Sequence, residues 1–149
     1  MVVMEQLSPE WKMLCDLSRE QQQGFADRVK GALDLAHKVD VSCSSSGGGS
    51  SSGGGSSSGG GSSYAVHGDM RGPNIMVHVG TGTVKFVDLD WAGIEGVGCY
   101  PSRMARSIRW HRDAAPGQLM AQVHDTFLLE HDGSGAGAFT SPSGTLDPQ

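Results

Sequence analysis

Phe25, Val29, Leu33 and Ala36, with Ala32 and Leu35 beside them, recur every three or four residues, the spacing of one face of a helix. Ser18 followed by Gln21 forms a capping-box signal just ahead of them, so the pattern predicts an amphipathic helix over about 19–38. Upstream, Ser8-Pro9-Glu10 offers an N-cap, a first-position proline and an acidic first turn. Trp11, Leu14 and Leu17 follow on one face, which predicts a short helix ending at about Asp16. After residue 74 the period changes. Ile75 to Val79 is a short apolar run, Gly80-Thr81-Gly82 is turn chemistry, and Val84 to Asp88 alternates like a returning strand, which together predict a β-hairpin. Trp91 to Pro116 is aperiodic, with several Gly and Pro, until Leu119, Met120, Val123 and Phe127 mark a last helix at about 117–130. The fold class expected is α+β, mostly helical with one short hairpin.

Composition divides this pattern. Ser42 to Ser63 is a run of Ser and Gly broken only by Cys43, with SSSGGG three times from Ser44 to Gly61. Such residues have no side chains to bury, so 42–63 is expected to be a disordered linker, engineered or natural, or an insertion in a surface loop. Residues 133–149 carry only Phe139 and Leu146 as large apolar side chains and read as a disordered tail. Of the 149 residues, 110 then remain in two blocks, 1–41 and 64–132. That suffices for one small core and is too few for a two-lobed enzyme.

The formal net charge is −5, with no Lys/Arg run and no interleaving of aromatic and basic residues, so a nucleic acid partner is not expected. No apolar stretch approaches the roughly 20 residues that span a bilayer, and the N-terminus lacks the basic start and long apolar run of a signal peptide. An intracellular, cytoplasmic chain with no membrane partner is the expectation. Cys15, Cys43 and Cys99 are odd in number and without metal-ligand spacing, which suggests ordinary thiols in a reducing compartment.

Oxygen ligands bracket the hairpin, with Asp69 and Asn74 just before its first strand and Asp88 and Asp90 just after its second. A hairpin returns the chain to its starting end, so these side chains are expected near one edge, an arrangement that suits a hard cation such as Mg²⁺. Such turn-flanking acids also serve simply to cap and bend chains.

The stretch His67-Gly68-Asp69-Met70-Arg71-Gly72-Pro73-Asn74 resembles the H-x-D-x-x-x-x-N catalytic loop of the protein kinase-like phosphotransferases. Phe86-Val87-Asp88-Leu89 stands where that family has its metal-binding Asp-Phe-Gly turn, and Asp88-Leu89-Asp90-Trp91-Ala92-Gly93 is similar to the atypical fungal and algal branch and to the aminoglycoside and choline kinases. The resemblance covers about residues 8–132 as a partial C-lobe. It implies that Asp69 orients or deprotonates an acceptor hydroxyl, that Asn74 and Asp88 hold Mg²⁺ against the phosphates of ATP, and that Arg71 faces the transferred phosphate. It places the helix at 19–38 as the long helix before the catalytic loop, 1–41 as the helical part of the lobe, and 64–132 as the catalytic-loop hairpin with its last helix.

Two departures qualify this. Gly68 replaces an arginine that in many protein kinases pairs with a phosphorylated activation loop. Residues 1–41 hold no G-x-G-x-x-G loop and no V-A-I-K-like strand lysine. The resemblance therefore implies a fragment of an ATP-dependent phosphotransferase acting on a hydroxyl acceptor, a protein side chain among the candidates, impaired for want of an N-lobe. Two alternatives remain open: a non-catalytic, pseudokinase-like binding module, and a metal-dependent hydrolase built on His67, Asp69 and Asp88. His67 is expected to brace the loop rather than act as a base, and Asp90 to be a structural residue rather than a second metal ligand.

Overall fold

The computed structural model describes residues 7–41 and 63–131; the expectations for a disordered 42–62 and for a tail at 133–149 lie outside the described residues. The architecture is α+β, with two helices and two small antiparallel sheets.

The first helix, α1 (Arg19–His37), starts where the capping box places it. Ser18 Oγ accepts from the Gln21 amide at 3.4 Å, and the Ser18 amide donates to Gln21 Oε1 at 3.1 Å. Val29 and Leu33 are buried on its inner face and Phe25 is half-buried, whereas Leu35 points into solvent.

The short helix expected over residues 8–16 is not there. Pro9 instead turns the chain, with the Trp11 amide donating to Ser8 O at 3.0 Å, and Trp11–Met13 forms strand β1 before a single 3-10 turn at Leu14–Asp16. The reason is long-range. β1 pairs antiparallel with β3 (Ile75–His78) in the register Trp11↔His78 and Met13↔Met76, which satisfies an edge of β3 that a local helix would leave open.

The hairpin forms as expected, slightly shorter, with β3 paired to β4 (Val84–Phe86) through Ile75↔Phe86 and Val77↔Val84. A second ribbon, which the sequence pattern did not announce, joins β2 (Ala65–Val66) to β5 (Gly93–Ile94). The last helix is later than expected: α2 runs Gln122–His131, because Pro116 and Gly117 form a turn, with Gly117 at φ 76°, and Leu119 bridges to Cys99. The described residues on either side of 42–62 are clamped together, the Val41 amide donating to Ser63 O at 2.7 Å and Asp40 pairing with Tyr64.

Two apolar clusters result. One packs Leu14, Val29, Leu33, Met70, Ile75 and Leu129 between α1 and the three-stranded sheet. The other gathers Val66, Tyr100, Ala114 and Met120, with Trp91 and Trp110 against them. The segment joining β2 to β3 runs between them, anchored by Val66 in one cluster and Met70 in the other. Both of those side chains are almost fully buried.

Candidate functional site

The residues from His67 to Asn74 make one hydrogen-bonded unit. His67 Nδ1 accepts the Asp69 amide at 3.3 Å, and its Nε2 lies 3.1 Å from Val87 O. A carbonyl can only accept, so Nε2 carries the hydrogen and both ring nitrogens are committed. His67 thus braces the loop to the end of β4, and no nitrogen is left to act as a base.

Gly68 has φ +81°, and a Cβ there would lie 2.8 Å from Trp91 O. No side chain fits that approach, which is the local reason for a glycine at this position.

Asp69 and Asn74 are buried together. Asn74 Nδ2 donates to Asp69 O at 2.8 Å and to Asp69 Oδ2 at 3.0 Å. Arg71 forks onto the same carboxylate, Nε to Oδ1 at 2.6 Å and the second nitrogen to Oδ2 at 2.7 Å, with about a quarter of its own side chain exposed. Three donors therefore occupy the Asp69 carboxylate, two on Oδ2 and one on Oδ1. One lone-pair direction remains on Oδ1, room for a single incoming hydroxyl.

Asp88 lies at the same end. The Val87 amide donates to Asn74 O at 3.0 Å, so the residue after it leaves the hairpin beside Asn74. Asp88 adopts φ 59° and ψ 61°, which makes it the only non-glycine residue with positive φ among the described residues, and its side chain is exposed. A left-handed aspartate costs about 1 kcal/mol or more and persists where the surroundings fix it, a pattern concentrated at ligand sites. Asp90 is exposed within the 3-10 turn Leu89–Trp91.

The donor chemistry fits Mg²⁺. Asn74 retains its amide oxygen after spending Nδ2 on Asp69, and Asp88 offers a solvent-facing carboxylate, two hard oxygen ligands of the kind this ion takes while phosphates and waters complete its shell. Among the described residues no group of three or more His, Cys, Asp or Glu is placed to hold a metal by itself.

A further residue holds the site together. Asp125 of α2, fully buried, accepts the His67 amide at 2.7 Å and the Gly68 amide at 2.8 Å, and His37 Nε2 of α1 at 3.1 Å. It joins both helices to the loop. The signal in the sequence is a carboxylate three and four residues ahead of Leu128 and Leu129, on the stripe those buried leucines occupy. Tyr100 sits behind the loop with its hydroxyl 3.1 Å from His124 Nδ1. Burial, reinforced by the negative charges of Asp125 and Asp69, holds the Tyr100 phenol above its ordinary 10, so it stays protonated. His124 is pushed below its ordinary 6.5, first by burial and then by stacked His111, with nearby carboxylates offsetting part of the effect.

Cys15 Sγ donates to Asp16 Oδ1 at 3.8 Å and Cys99 Sγ to Val97 O at 3.9 Å, and no helix among the described residues is long and apolar enough to cross a membrane. Compared with protein-family models, curated proteins and solved structures, the chain matches none.

Proposed function

We propose that the chain carries the catalytic loop and metal-binding turn of a protein kinase-like phosphotransferase, which moves the γ-phosphate of ATP to a hydroxyl acceptor. What supports the reading is one arrangement: Asp69 and Asn74 hydrogen-bonded and buried at the end of a hairpin whose returning strand brings a left-handed Asp88 to the same place. Asp69 receives the acceptor hydroxyl at its open Oδ1 direction, orients it and takes its proton as the new bond forms. Asn74 and Asp88 hold Mg²⁺, which supplies charge neutralisation for the phosphates. Arg71 keeps the Asp69 carboxylate in one plane, and a phosphate arriving beside Asp69 competes for the same guanidinium.

The Asp69–Arg71 fork also favours a second reading, a non-catalytic binding module, because the two groups satisfy each other. Residues 1–41 contain no Gly-rich loop and no V-A-I-K-like strand lysine, so nucleotide affinity in this chain is expected to be weak. Isothermal titration with ATP, with and without Mg²⁺, separates the two. Weak binding that needs Mg²⁺ and is lost in Asp88→Asn supports phosphoryl transfer. Absence of binding favours the module, and binding indifferent to both Mg²⁺ and Asp88→Asn overturns the assignment of the site.

A further inference from the structure

Residues 102–116 carry four arginines, Arg103, Arg106, Arg109 and Arg112, against the single carboxylate of Asp113, in a chain whose formal net charge is −5. The spacing of three avoids a contiguous basic run, and the four side chains do different things. Arg109 lies over the Phe127 ring, 5.9 Å from its centroid, and Arg112 pairs with Asp113 at 3.6 Å. Arg103 and Arg106 are exposed, have no carboxylate within ion-pair distance among the described residues, and both line an open cleft of about 540 Å³. Apart from Ser102, the rest of its wall is apolar, with Met104, Trp110, Ala114 and Pro116 among its residues. The Trp110 ring stacks on Trp91 at 5.6 Å between centroids, and Trp91 ends the turn that Asp88 begins. Arg103 and Arg106 therefore border a cleft whose Trp110 stacks on the last residue of the turn that follows Asp88.

We infer that this cleft binds a carboxylate-rich polypeptide segment, the acceptor of the phosphotransferase reading on which the inference rests. Guanidinium groups bind carboxylates through paired hydrogen bonds, and the apolar floor takes the side chains between the acids. In a chain whose formal net charge is −5, this local excess of guanidinium groups favours an acidic partner at the cleft.

The test is fluorescence anisotropy of a labelled peptide alternating Glu with Ser, titrated with the full chain in the absence of nucleotide, so that the result stands whether or not the Mg·ATP titration succeeds. Exposed charge pairs are individually weak, so reversing two, in Arg103→Glu/Arg106→Glu, is expected to weaken binding about tenfold, and Arg112→Glu less than about twofold. If the reversal variant fails to fold, Arg103→Gln/Arg106→Gln is expected to weaken binding by about threefold to fivefold. No binding by the unsubstituted chain, equal losses in Arg112→Glu, or tighter binding of a single-stranded oligonucleotide than of the peptide would each overturn the inference.

Discussion

Replacing Asp125 by alanine strips the acceptor from two buried backbone amides, those of His67 and Gly68, and from His37 Nε2. A buried donor left without a partner costs about 1–3 kcal/mol, and removing one member of a buried charged contact typically about 3–5 kcal/mol, so a loss of about 3–5 kcal/mol is expected for Asp125→Ala. Small domains are stable by only about 5–15 kcal/mol, which makes this a large fraction of the whole. At about 4–8 °C per kcal/mol for a chain of this foldable size, the melting temperature is expected to fall by at least about 12 °C. Asp125→Asn keeps one oxygen acceptor of the same size and is expected to lose about 1–3 kcal/mol. The assay is a thermal melt of both variants beside Asp113→Ala, whose carboxylate is exposed, combined with hydrogen exchange at the His67 and Gly68 amides. A melting temperature for Asp125→Ala within about 3 °C of the unsubstituted chain, or no gain in exchange at those two amides, would refute the bracing argument.

Gly68→Ala forces a Cβ to within 2.8 Å of Trp91 O at a positive φ, and is expected to destabilise by about 1–3 kcal/mol in denaturant titration, whereas Gly24→Ala, inside α1 with nothing near, is expected to stabilise by about 0.5–1 kcal/mol. His124 is held neutral in the fold with its pKa below 6.5. Its contribution to stability is thus fully present above 6.5 and is lost as pH falls from there through the lowered folded value. The fall in melting temperature between pH about 7.5 and about 5.5 is expected to be shallower in His124→Gln, which can still accept from Tyr100, and an unchanged slope would contradict this.

What the sequence made legible was local. α1 and its cap are written in Ser18, Gln21 and a 3.6-residue stripe, and the hairpin in Gly80, Gly82 and flanking apolar runs. The spacing of Asp69, Asn74 and Asp88 around that hairpin brings three polar residues to one of its ends. The features that escaped depend on distant partners. β1 exists because β3 has an edge to satisfy, which outweighs the helix signal of Ser8-Pro9-Glu10. β2 and β5 are two residues each, too short for any period to show. Asp125 acquires its role from amides 57 and 58 residues away.

If Asp69, Asn74 and Asp88 form the proposed metal–phosphate site, paramagnetic broadening by Mn²⁺, added with ATP to the isotope-labelled chain, reads that site residue by residue. The amide signals around Asp69, Asn74 and Asp88 are expected to broaden together, those of Trp11 and Val79 at the far end of the sheet to persist, and Asp88→Asn to abolish the effect. Broadening centred elsewhere, or persisting unchanged in Asp88→Asn, would contradict the proposed site.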